Sequence, residues 1–71
     1  SSPIFDSLIE AISKSSIEVN QKSQILAKVE AMKQAEGSPG FLQKYKDFMQ
    51  NAANHMTVIS PFIPALTSLI N

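Results

Sequence analysis

Charge stops two-thirds of the way along this chain. Its six basic and six acidic residues all lie at or before Asp47, and the stretch from Phe48 to Asn71 contains none. That stretch includes Phe48, Met49, Met56, Ile59, Phe62, Ile63, Leu66, Leu69 and Ile70. Apolar surface gains about 25 cal/mol for each Å² removed from water, so so many large side chains without a charge among them must be covered. The cover can be the chain's own core, another protein or a membrane.

Hydrophobic spacing narrows the fold. Ile4, Phe5, Leu8, Ile9, Ala11 and Ile12 fall on one arc at roughly 100° per residue, with Asp6, Ser7, Glu10, Ser13 and Lys14 opposite, so a first helix is expected from Pro3 to Lys14. Glu10 and Lys14 form a favourably oriented i,i+4 pair. A second helix is expected from Val19 to Glu36, capped by Ser16 with Ile17 under the turn. Its apolar stripe is Val19, Ile25, Leu26, Val29 and Met32, and Lys22 and Lys33 lie within it with their aliphatic stems over apolar surface. Gly37-Ser38-Pro39-Gly40 then breaks the chain between antiparallel helices.

The third helix, expected from Pro39 to Val58, has the longest arc: Phe41, Leu42, Tyr45, Phe48, Met49, Ala52, Ala53 and Met56, continued by Ile59. Its other face changes from Gln43, Lys44, Lys46 and Asp47 to the uncharged Gln50, Asn51, Asn54 and Thr57. Ser-Pro occurs at Ser2-Pro3, Ser38-Pro39 and Ser60-Pro61, the pairing of an N-cap serine with proline in the first turn. The last of these is expected to open a short helix with Phe62, Ile63, Leu66, Leu69 and Ile70 on one face. No strand alternation interrupts this series. The expected fold is all-α, a small antiparallel helical bundle of three main helices plus a short proline-started C-terminal helix, in a single domain over residues 1–71.

At 71 residues such a domain retains only about 3–5 kcal/mol of net stability, which makes help from a partner plausible. There is no cysteine for a disulfide and no Cys/His set for zinc, so no cofactor or metal is expected. A net charge of zero lacks the basic footprint of nucleic-acid binding. His55, the single histidine, has Asn51 and Asn54 as its polar neighbours on the helix and no acid closer in sequence than Asp47, so no catalytic site is expected. The serines lack a nucleophile signature and the acids alternate with lysines as a solvated surface does. Met32, Met49 and Met56 read as core filling, as do Phe41, Tyr45 and Phe48, the tyrosine hydroxyl reaching the rim.

A membrane span across Phe48 to Ile70 is disfavoured. Gln50, Asn51, Asn54 and His55 each oppose insertion, Pro61 and Pro64 interrupt the hydrogen-bond ladder, and a span needs about 20 apolar residues. The polar face of the tail also lacks the lysines and arginines of an interfacial helix. Ser1-Ser2-Pro3 has no basic n-region, and the chain is expected to begin at a processing point or as a module of a longer protein.

The opening Ile4-Phe5-Asp6-Ser7-Leu8-Ile9-Glu10-Ala11-Ile12, the charged helix that follows and the ending Val58-Ile59-Ser60-Pro61-Phe62-Ile63-Pro64 resemble short helical modules of bacterial proteins similar to abortive-infection defence proteins. That resemblance implies a bacterial, cytoplasmic accessory module that mediates association. The residues themselves lead to a non-catalytic protein-interaction module, self-associating through its uncharged C-terminal third. The expected interface comprises Gln50, Asn54, Phe62, Ile63, Leu66, Leu69 and Ile70. A membrane-active or lipid-binding helical peptide of the bacteriocin kind is the alternative.

Overall fold

Helix α1 spans Pro3–Lys14, the range expected from its arc. Phe5, Leu8 and Ile12 are its fully buried residues, at the i, i+3 and i+7 spacing that puts side chains on one face. The helix has an acid, Asp6, in its first turn and a base, Lys14, in its last, both favourable to the helix dipole. Lys14 Nζ lies 3.1 Å from Glu10 Oε2, on side chains largely exposed to water. The computed structural model describes residues 2–70; Ser1 and Asn71, which the single-domain expectation also covers, lie outside them.

Ser2 occupies the N-cap position with extended backbone, but its hydroxyl does not bond the first turn of α1. It donates instead to Glu36 Oε2 at 2.5 Å, and the Ser2 N–H reaches Glu36 Oε1 at 3.3 Å. A carboxylate from the end of the second helix thereby sits over the start of the first. At the other end, Lys22 Nζ donates to the Ser13 carbonyl at 2.9 Å and the Ser15 carbonyl at 3.0 Å, capping α1 from outside. Two long-range polar ties therefore fasten both ends of the same helix.

Helix α2 spans Val19–Gln34, two residues shorter at its end than the pattern suggested, because Ala35 and Glu36 enter the turn. Its N-cap is Glu18 rather than Ser16: the Glu18 carboxylate accepts from the Asn20 and Gln21 N–H groups, both at 3.1 Å. Ile25, Val29 and Met32 are buried as expected. Val19 is not in the core; it is 75% exposed, and Ile17, two residues earlier in the extended link, takes the buried place at this end. Gly37 has φ of 81°, a left-handed conformation that only glycine takes at little cost, and it turns the chain back into the third helix.

Helix α3 spans Phe41–Asn51 and runs antiparallel to α2. It starts two residues later than expected because Pro39 and Gly40 stay in the turn, where the Ser38 hydroxyl donates to the Ala35 carbonyl and accepts from the Gly40 N–H. It also ends earlier. A single helix to Val58 does not form: the chain breaks at Ala52, makes a 3₁₀ turn over Ala53–His55, and resumes as α4 over Met56–Ile59. Asn51, Asn54, His55, Thr57 and Val58 are all middling helix formers, so continuing straight had little intrinsic support. Ala52 and Ile59 are nonetheless both fully buried, and α4 lies in contact with α1.

The expected short proline-started C-terminal helix forms, with Pro64 in its first turn, but Ser60 is not its N-cap. Ser60 has helical backbone angles and its N–H bonds the Met56 carbonyl, so the chain keeps turning from α4 through a 3₁₀ turn at Ser60–Phe62 into α5, Ile63–Thr67. The tighter turn accommodates Pro61, which lacks an N–H, without a kink outward.

The fold is all-α, a small helical bundle, and no strand occurs among the described residues. One core collects Phe5, Leu8, Ile12, Ile17, Ile25, Val29, Met32, Phe41, Phe48, Ala52, Ile59 and Leu66 from every helix. Its radius of gyration, 11.1 Å, is the value of about 11 Å that a compact chain of this length has. No charged or polar residue is buried among the described residues.

Candidate functional site

The tail folds onto its own bundle, and that divides the expected interface residues into three groups. Leu66 is fully buried in the shared core and presents nothing to a partner. Phe62, Ile63, Leu69 and Ile70 are half-buried, each packed against the core with part of its surface still in water. Gln50, in the last turn of α3, and Asn54, in the 3₁₀ turn, are exposed. The structure thus brings the apolar members together around Leu66 but gives them unequal access.

The outer side of this region consists largely of residues outside the expected interface. Thr57, Pro61, Pro64, Ala65 and Ser68 are exposed along the path from α4 to α5. Their signal was present as the complement of the apolar stripe: whatever lies opposite Leu66 on a helix must face water. The hydroxyls of α5 turn inward on their own helix. Thr67 Oγ1 is 3.0 Å from the carbonyl oxygens of both Ile63 and Pro64, and the Ser68 hydroxyl donates to the Ala65 carbonyl at 2.7 Å. These hydroxyls bond back to carbonyls of their own turn, the Pro64 carbonyl also accepting the Ser68 N–H at 3.2 Å. The result is an outer side with no formal charge, on which the Thr67 and Ser68 hydroxyls are already engaged.

Leu42, placed on the core arc by its spacing, is instead 41% exposed. It borders a pocket of about 330 Å³ formed by Gly37, Ser38, Pro39, Phe41, Leu69 and Ile70. Phe41 closes the floor side, being nearly fully buried, and stacks on Tyr45 with ring centroids 6.5 Å apart and planes 20° from parallel. The pocket lies where the turn before α3 meets the end of the tail, and its lining side chains are uncharged.

His55 is half-buried at the start of α4, with its Nε2 enclosed and without a hydrogen-bond partner among the described residues. No group of three or more His, Cys, Asp or Glu residues placed to hold a metal ion occurs among the described residues. No helix among them is long and apolar enough to cross a membrane.

The Glu36 carboxylate is moved down from its ordinary range. The Ser2 hydroxyl and then the Ser2 backbone N–H donate to its carboxylate and hold it below the usual value of 4.5. This is a fold-holding contact between α1 and the end of α2, remote from the tail in sequence. No protein-family model, no curated protein and no solved structure matches this chain.

Proposed function

We propose that this chain is a non-catalytic protein-interaction module that binds a second copy of itself through its C-terminal third. The observation that carries the reading is the exposed surface after Asp47: Gln50, Asn54, Thr57, Pro61, Ala65 and Ser68 all face water, and none bears a charge. Depletion of charge is what sets the centre of a protein interface apart from ordinary surface, because covering it strips water from no ion. The exposed parts of Phe62, Ile63, Leu69 and Ile70 supply apolar area beside it. A neutral face also meets its own copy without like-charge repulsion.

Size is compatible with this role. A standard interface takes about 800 Å² from each partner. The molecule exposes 4258 Å², so such a contact would use about a fifth of its surface, and the charge-free segment is about a third of the chain.

Sedimentation velocity over rising concentration tests the proposal. The wild type is expected to gain mass with concentration, whereas Thr57→Lys and Ala65→Lys, both at exposed positions, are expected to stay monomeric with melting temperatures close to wild type. A wild type that remains monomeric at about 1 mM, where an association worth roughly 4 kcal/mol is half complete, ends the self-association reading. The same samples with neutral and anionic vesicles test attachment to a lipid surface; co-sedimentation with either would replace the proposal.

A further inference from the structure

We draw no further inference here: the strongest candidate, the uncharged pocket of about 330 Å³ between the Gly37–Pro39 turn, Phe41, Leu42 and the Leu69–Ile70 end of the tail, is an unpartnered surface, and nothing in the structure shows what covers it.

Discussion

Leu66 shows how a single side chain separates folding from binding. Because it is fully enclosed, Leu66→Ala is expected to cost about 2–5 kcal/mol through lost burial and a residual cavity, most of what so small a domain has. Urea denaturation would measure it, and a change below about 0.5 kcal/mol would mean the tail is loosely docked. Lys22 offers a cleaner test of a polar tie. Lys22→Met keeps the aliphatic stem and removes only the ammonium that bonds the Ser13 and Ser15 carbonyls, so a loss of about 1 kcal/mol is expected in the same assay. The sequence placed the Lys22 stem over apolar surface, but not the destination of its nitrogen. A bond across nine residues depends on how the link between α1 and α2 bends, which local spacing does not encode.

Glu36 supplies a pH prediction whose sign follows from its lowered folded-state value. Such a carboxylate adds stability above its unfolded value, and the contribution disappears as pH falls through the lowered folded value. The melting-temperature gap between wild type and Glu36→Gln is therefore expected to be open at neutral pH and to close in acid below 4.5. A gap that stays constant through that range would show that the Ser2 contacts do not depend on the charge.

At the scale of elements, the ends of helices were less legible than their faces. The apolar arcs of α1 and α3 predicted every residue these two helices bury, since Phe5, Leu8, Ile12, Phe41 and Phe48 all reach the core on period alone. The caps depended on chemistry that several residues could supply. Ser16 and Glu18 both offer a side-chain oxygen just before α2, and it is the Glu18 carboxylate that accepts from the Asn20 and Gln21 N–H groups. Glu18→Ala is accordingly expected to cost about 1 kcal/mol in thermal unfolding and Ser16→Ala very little. Reversal of that order would restore the serine as the cap.

Gly37→Ala belongs to the same scale. A Cβ there meets nothing within 4 Å, so the expected loss of about 1 kcal/mol is conformational and comes from the left-handed backbone alone. The break at Ala52 was hidden for a different reason. Ala52 and Ile59 hold their places on the straight arc, so a periodic pattern cannot distinguish one long helix from two short ones that both bury the same residues. The Ser-Pro pairs were ambiguous in the same way: the local preference is real, yet at Ser60 the tertiary path kept the chain turning.

For the whole molecule, hydrophobic spacing pointed to the class, and the packing shows that part of the charge-free end covers its own core. The chain buries Leu66 and Ile59 against α1 to α3, so the tail closes its own core before it meets anything else. What remains outside is neutral surface on which the expected Gln50 and Asn54 are exposed together with Thr57, Pro61, Ala65 and Ser68. Periodicity told which residues share a side; it could not tell which side the bundle would claim.

A face without ions also has no counterion atmosphere to disturb. Charged interfaces weaken as salt shortens the Debye length from about 10 Å at 0.1 M to about 3 Å at 1 M. Contact through the surface after Asp47 has no lysine or carboxylate of its own for salt to screen. Its strength should stay level, or rise slightly as excluded salts favour burial, when ionic strength is raised across that range. The molecule would then have an association insensitive to the electrolyte around it, on a body whose remaining surface is a mixture of positive and negative charge.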